Sequence, residues 1–494
     1  MISRASVAHV GLWLGPSLAV LAYLALPSAE PGSDGLDTSG RVVAALAVWM
    51  AAWWLTEALP LAATALLPIV VLPLAEVLAI KDVAIPYANP LIFLFLGGFV
   101  IGLAIQRFGL HKRMALRILL VVGASPRRLI AGFMLASALL SMWISNTATA
   151  IMMLPIGASV LALLKAKAAD DSQAAKCSPG DSDPFATALV LGIAYACSIG
   201  GIGTLIGTPP NLVLAAFVRE RYGVDLTMAQ WMAVGLPLVA ILLPLTWLYL
   251  TRIAFRVSNR PLPCSRDVIR AELDAMGPMQ RAERIVLLIF AATALGWILR
   301  PQIVAWTGLS GLSDATIAML GALLLFVVPV AGSPRVAAMD WETAKQLPWG
   351  ILILFGGGLS LAGAIAATGV DRFVGSGFTH LAGVAPWLLL LTVTAAVVLL
   401  TEITSNTAVA TTLMPVLAAT ALATGAPAGM LLTVTALAAS CAFMLPVATP
   451  PNAVVFSSGY VNVAQMARAG LGLNVLAVVV ITLLVYFGEP LALP

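Results

Sequence analysis

The strongest constraint on this chain is its succession of long, continuous apolar stretches. They lie near residues 7–26, 42–58, 60–79, 90–106, 128–164, 185–217, 230–251, 284–305, 313–332, 348–367, 386–424, 427–459 and 468–487. One helical crossing of a bilayer takes about 20 residues, and most of these stretches reach that length. With 61% of the residues apolar and 10% charged, a soluble fold would lack the polar surface to cover itself. The chain reads as an all-α polytopic membrane protein. Its runs are continuous rather than alternating in segments of about ten residues, which excludes a transmembrane β-barrel. The first stretch is long for a signal-peptide core, and no A-x-A site precedes the polar loop from Ser28 to Arg41, so it reads as a retained helix.

Several function classes drop out early. The net charge of +4 is accounted for by basic loops on one side of a membrane, so nucleic acid is not an expected partner. The three histidines, His9, His111 and His380, form no HExxH, and no GxxxxGK[ST] loop is present, which argues against a zinc protease and an ATP-driven pump. Cys177, Cys197, Cys264 and Cys441 have no metal-site spacing and read as structural thiols.

Comparison of the sequence with itself is more informative. Leu94-Phe95-Leu96-Gly97-Gly98 aligns with Leu354-Phe355-Gly356-Gly357-Gly358, Gly109 with Gly369, Ser145-Asn146-Thr147 with Ser405-Asn406-Thr407 and Pro155 with Pro415, all at an offset of 260. Gly207-Thr208-Pro209-Pro210-Asn211 aligns with Ala448-Thr449-Pro450-Pro451-Asn452 at an offset of 241; the 19 missing residues match the polar insertion from Lys165 to Pro184. A duplication this long is not a solenoid. Halves with interrupted apolar segments at equivalent places point to a secondary transporter.

The stretches holding the Ser-Asn-Thr triplets are too long for one span and read as re-entrant hairpins over 126–165 and 386–425. The stretches holding Thr-Pro-Pro-Asn read as broken helices over 185–218 and 427–460. The implied organisation is a first helix and loop over 1–40, repeat one over 41–255, a cytoplasmic linker over 256–283 and repeat two over 284–494. With a cytoplasmic amino terminus and hairpins that enter and leave on one side, 20 of the 26 Lys and Arg residues fall inside, all but Arg41, Lys81, Arg219, Arg221, Arg300 and Arg372. That count gives about 11 spans, a carboxyl terminus outside, and hairpins opening to opposite sides, so the repeats are expected to be inverted.

At each hairpin tip one helix ends in unpaired carbonyls and the next begins with unpaired amides. Ser, Asn and Thr suit such a start and add neutral oxygen and amide groups. Carbonyl and hydroxyl oxygens suit a small alkali cation such as Na+, whereas helix amides suit a carboxylate. The paired prolines remove backbone donors and unwind a helix inside an apolar stretch, freeing carbonyls where only a lined site tolerates them. Two tips and two breaks brought together would make a central pocket with two cation sites and room for a doubly charged anion.

These motifs resemble the divalent anion/sodium symporter family, which includes the dicarboxylate and citrate transporters. The resemblance runs from Trp54-Leu55-Thr56-Glu57 to the last helix. It implies a homodimer, each protomer moving substrate by an elevator-like slide of a transport part against a scaffold. It places a first sodium site on Ser141, Ser145, Asn146 and the Gly207 carbonyl, and a second on Thr401, Ser405, Asn406 and the Ala448 carbonyl. Substrate contacts would be Ser145, Asn146, Thr147, Thr208, Pro209, Ser405, Asn406, Thr407, Thr449 and Pro450. Ser141 and Thr401 also match at the offset of 260, one helical turn before each triplet serine. The expected activity is Na+-driven uptake of succinate, fumarate and malate across a bacterial inner membrane. The alternatives are a sodium-independent dicarboxylate exchanger, or a carrier of citrate, tartrate or sulfate. No nucleophile, acid pair or metal cluster for an enzyme is visible, and a channel would not need interrupted repeats.

Some residues carry plainer readings. Gly97-Gly98 and Gly356-Gly357-Gly358 read as close helix packing. Gly200-Gly201-Ile202-Gly203 mimics a nucleotide fingerprint, but no strand precedes it. Glu402 stands where the first half has Met142, so it is outside the duplicated machinery and reads as a tuning or hydrogen-bonding acid. Glu57 reads as structural or interfacial. The loop from Arg252 to Arg284 reads as a solvated cytoplasmic surface, and Trp49, Trp53, Trp54, Trp341 and Trp349 as interfacial anchors.

Overall fold

The protein is described from a computed structural model, which covers residues 4–28, 35–123, 125–170, 183–258, 265–331, 336–377, 383–488 and 493. Cys177, Cys264, His380, Arg335 and most of the polar insertion after Lys165 lie outside the described residues.

The first half contains α1 (Arg4–Ala25), α2 (Thr38–Thr56), α3 (Leu61–Thr64), α4 (Leu67–Leu74), α5 (Ile80–Ala84), α6 (Pro90–Arg107), α7 (Leu110–Val122), α8 (Pro126–Ser141), α9 (Asn146–Asp170), α10 (Pro184–Gly201), α11 (Pro209–Tyr222) and α12 (Met228–Leu248). The second contains α13 (Ser265–Ala275), α14 (Arg281–Thr307), α15 (Asp314–Val327), α16 (Trp341–Ala344), α17 (Trp349–Ala367), α18 (Val370–Ser376), α19 (Pro386–Thr401), α20 (Asn406–Thr424), α21 (Ala428–Ala439), α22 (Pro450–Ser457) and α23 (Val463–Gly488). Among the described residues, 8 helices are long and apolar enough to cross a membrane. Both Ser-Asn-Thr stretches fold as helix pairs, α8 with α9 and α19 with α20, that meet at the triplet. Both Thr-Pro-Pro-Asn stretches break, between α10 and α11 and between α21 and α22.

Two stretches differ from a simple span. The 60–79 run folds as short α3 and α4, because Pro60, Pro68 and Pro73 each withdraw a backbone donor. The 313–332 run stops at Val327 before Pro329 and continues into a two-stranded antiparallel ribbon, Pro329–Ala331 with Val336–Ala337, a small departure from an all-helical fold.

Burial separates the layers. The apolar window of α10 is 94% buried, whereas that of α14 is 33% buried, so α10 runs through the protein interior while α14 presents side chains such as Leu288 and Leu295 outward. Apolar groups facing outward cost nothing against lipid tails. The glycine runs are closely packed, as their composition suggests. A Cβ at Gly97 would lie 2.6 Å from the Ala318 backbone, and one at Gly357 would lie 2.1 Å from the Ala65 carbonyl.

The duplication extends to backbone conformation. Gly109 and Gly369 start α7 and α18 at φ 68° and 69°, and Gly123 and Gly383, again 260 residues apart, precede the two hairpins at φ 110° and 94°. Glycine alone adopts these angles without a steric cost.

The Arg252–Arg284 segment does more than face solvent. Its helix α13 places Glu272 2.9 Å from Lys112 on α7. Arg113, also on α7, is buried against Glu283 with its Nε 2.5 Å from one carboxylate oxygen and a second nitrogen 3.1 Å from the other. It also donates to the Gly277 carbonyl at 2.8 Å. Removing one partner strands the other as a buried charge. Arg113→Met is therefore expected to destabilise the fold by about 3–5 kcal/mol, measured as a fall in the thermal unfolding midpoint of the detergent-solubilised protein, while the double replacement with Glu283→Leu recovers most of the loss.

Candidate functional site

The two triplets and the two broken helices converge on one cavity of about 840 Å³. Ser145, Asn146, Thr147, Gly207, Thr208 and Pro209 line one side, and Ser405, Asn406, Thr407, Ala448, Thr449 and Pro450 the other. Ser141 and Thr401 do not reach the cavity. They are fully buried behind it, each beside the asparagine of its own triplet.

The two half-sites are built alike, each around a buried hydroxyl that meets the asparagine of its triplet and a backbone carbonyl. In the first, Ser141 Oγ contacts the Asn146 amide and donates to the Cys197 carbonyl at 2.7 Å. The surroundings assign the Asn146 nitrogen to a position 3.2 Å from the Gly207 carbonyl. In the second, Thr401 Oγ1 lies 2.7 Å from Asn406 Oδ1 and 2.9 Å from the Ala439 carbonyl. Three oxygens then share one hydroxyl proton, an excess of acceptors that a small cation would satisfy. The donor set fits Na+: neutral hydroxyl, amide and carbonyl oxygen, with no soft ligand.

The breaks are held open by a second asparagine pair. Asn211 donates to the carbonyls of Gly201 and Thr204 at 3.2 and 2.7 Å. Asn452, 241 residues later, donates to those of Ala442 and Leu445 at 3.2 and 3.1 Å. The unwound turns thus have their carbonyls partly satisfied from within.

The tips differ from the expected capping in one respect. Ser405 is the N-cap of α20 with extended backbone, yet its side chain makes no capping bond, and neither does Thr208 at α11; Thr449 does cap α22, accepting from Asn452 N at 3.3 Å. Without a side-chain cap from Ser405, the first-turn amides of α20 are available to an anion at the positive end of the helix.

Several cavity-lining residues were not singled out as site residues from sequence, Phe99, Ile351 and Glu57 among them. Phe99 and Ile351 line the cavity from α6 and α17 and are indistinguishable in sequence from other apolar membrane residues. Glu57, read as structural or interfacial, also lines it. It ends α2 in the left-handed region at φ 49°, ψ 36°, a conformation that favours glycine or asparagine. It is the sole charged group among the residues described as lining the cavity; no lysine or arginine faces it. A smaller cavity of about 150 Å³ holds Arg221, which is already paired with Asp371.

The sequence Gly200-Gly201-Ile202-Gly203 is placed beside the first half-site. A Cβ at Gly201 would lie 2.7 Å from the side-chain amide of Asn146, and one at Gly200 would lie 2.3 Å from the Ala138 carbonyl. These glycines let α10 approach the hairpin. Glu402 does not line the cavity; it is buried beneath the second break.

Duplicated, interrupted helices around a central cavity, in a chain with 8 helices among the described residues long and apolar enough to cross a membrane, define a membrane transport protein rather than an enzyme. The profile of the sodium:sulfate symporter transmembrane region matches residues 13–493, and the chain belongs to that family. It is 44% identical over 483 residues to the sodium-dependent dicarboxylate transporter SdcS of Staphylococcus saprophyticus, an alignment covering 97% of this chain and 91% of that one. It is 43% identical over 486 residues to SdcS of Staphylococcus aureus strain USA300, covering 98% and 92%. Among solved structures, the fold resembles the YdaH transporter of Alcanivorax borkumensis, with TM-score 0.59 at 15% identity over 99% of both chains. It also resembles MtrF of Neisseria gonorrhoeae, with TM-score 0.57 at 13% identity over 98% and 94%.

Proposed function

We propose that this protein is a Na+-coupled carrier of C4-dicarboxylates such as succinate, fumarate and malate. The observation that carries the reading is the charge of the cavity: helix amino termini and neutral side chains face a space where the described lining residues include no lysine or arginine and Glu57 alone is charged. A dianion entering there needs positive charge from elsewhere. Cations co-bound at the two oxygen-rich half-sites supply it, so anion and cations bind together more tightly than either alone. The first cation rests on Ser141, Ser145, Asn146 and the Gly207 carbonyl, the second on Thr401, Ser405, Asn406 and the Ala448 carbonyl. The carboxylates reach the triplets and the Thr-Pro segments, including Thr147, Thr407, Thr208, Pro209, Thr449 and Pro450. The names of the SdcS relatives support both the ion and the substrate class.

On this reading the hairpins and broken helices move as one transport part against a scaffold, in an elevator-like slide with the repeats inverted. The protein acts as a homodimer in a bacterial plasma membrane, amino terminus in the cytoplasm and carboxyl terminus outside.

The test is uptake of labelled succinate into proteoliposomes. With an inward Na+ gradient and no internal substrate, succinate is expected to accumulate, and replacing external Na+ by K+ abolishes this. Uptake that requires internal dicarboxylate and ignores Na+ makes the protein an exchanger and removes the cation half-sites.

A further inference from the structure

The two half-sites solve the same problem differently. In the first, α10 runs to Gly201, and the following amides stay within the helical turn: Ile202 N reaches the Ile199 carbonyl at 3.2 Å and Gly203 N the Gly200 carbonyl at 2.9 Å. Glycines at 200, 201, 203 and 207 permit this tight winding. A Cβ at Gly203 would lie 2.9 Å from the Met142 side chain, and one at Gly207 would lie 2.3 Å from the Gly201 carbonyl.

At the equivalent positions the second half has Cys441, Ala442, Met444 and Ala448. Side chains replace every one of those glycines, and α21 stops at Ala439, three residues short of the position matching Gly201. The amides of Phe443, Met444 and Leu445 are thereby released from any helix. All three donate to Glu402, at 2.6, 2.9 and 3.1 Å, and Asn474 of α23 adds a fourth bond to the same carboxylate at 2.7 Å. Gly470 of α23 lets that helix close on the segment, since a Cβ there would lie 2.2 Å from the Phe443 carbonyl. Buried amides need acceptors, and one carboxylate supplies them where Met142 needs to supply none.

We infer that Glu402 is the positioning residue of the second half-site: its carboxylate replaces the missing helical turn, fixes the segment that leads to the Ala448 carbonyl, and ties it to α23 through Asn474. The inference rests on the reading of Thr401, Asn406 and Ala448 as a cation half-site. It makes the two half-sites unequal, the second depending on an acid that does not face the cavity.

The experiment is a Na+ titration of succinate uptake in proteoliposomes by wild type, Glu402→Gln and Asn474→Ala. Glutamine keeps the shape but loses one acceptor oxygen. Glu402→Gln is expected to raise the Na+ concentration for half-maximal uptake about tenfold or more, the size typical of losing a residue that orients an ion's ligands, and to flatten the cooperativity of the curve. Uptake recovers at saturating Na+, which general damage to the fold would not allow. Asn474→Ala, which removes one of four bonds, shifts the curve the same way by a smaller factor and serves if the glutamine variant does not fold. Na+-dependent wild type with both variant curves unmoved overturns the inference alone; wild-type uptake indifferent to Na+ overturns the half-site reading and the inference together.

Discussion

Asn406→Ala and Asn146→Ala are each expected to reduce the proposed Na+-driven succinate uptake about 100-fold or more, while the purified variants keep wild-type elution and close to wild-type thermal stability. Each asparagine stands at a helix start, touches the buried hydroxyl of Ser141 or Thr401 and lines the cavity. On the proposed reading, truncation removes an ion ligand and a substrate contact at once, and hydrogen bonds to charged groups are worth about 1.5–3 kcal/mol each. Two such losses exceed two orders of magnitude in affinity. The fold tolerates the change because the residue faces a cavity rather than a packed core. Near-normal uptake in both variants would remove the site assignment.

Gly207→Ala is expected to have an effect of similar size by a different route. The added methyl would lie 2.3 Å from the Gly201 carbonyl and 2.9 Å from its Cα, contacts that only backbone movement relieves. Overpacking of this kind costs about 1–3 kcal/mol of stability, and the carbonyl of the same residue is the proposed cation ligand. A several-degree fall in the unfolding midpoint is expected together with loss of uptake at ordinary Na+. The equivalent change in the other half, Ala448→Gly, is expected to be mild, because the second break is already built around a methyl group. Equal damage from both changes would contradict the asymmetry between the halves.

The large pattern was legible in the sequence because it rests on rules that act locally. Apolar run length marks spans, consecutive prolines break helices, and a duplicated triplet lies at both tips. The repeat of Ser141 and Thr401 four residues before each triplet serine was legible too, but their pairing with Asn146 and Asn406, five residues on, is made across the break at each hairpin tip. What the sequence did not show depends on which residues meet across the fold. Glu57 looked like an interfacial acid because nothing in a single span says which way its end turns. Phe99 and Ile351 were hidden among dozens of similar residues. Glu402 was marked as an intramembrane acid outside the duplicated machinery, but its partners are three backbone amides 41 to 43 residues away, which carry no sequence signature, and the side chain of Asn474, 72 residues away. The prolines of the 60–79 run were visible, and apolar length outweighed them in reading it as one span.

The absence of lysine and arginine from the described cavity lining also bears on how the carrier returns after unloading. A lysine or arginine among the tips would leave a bare positive charge in the mobile part once the anion had left, and carrying that charge through a low-dielectric layer is costly. Such a protein would wait for another anion before resetting and could only swap one for another. Here the tips carry no fixed charge and Glu57 sits on the end of α2 instead. On the proposed reading, the emptied transport part crosses electrically silent, and each cycle ends with net gain of substrate rather than a trade.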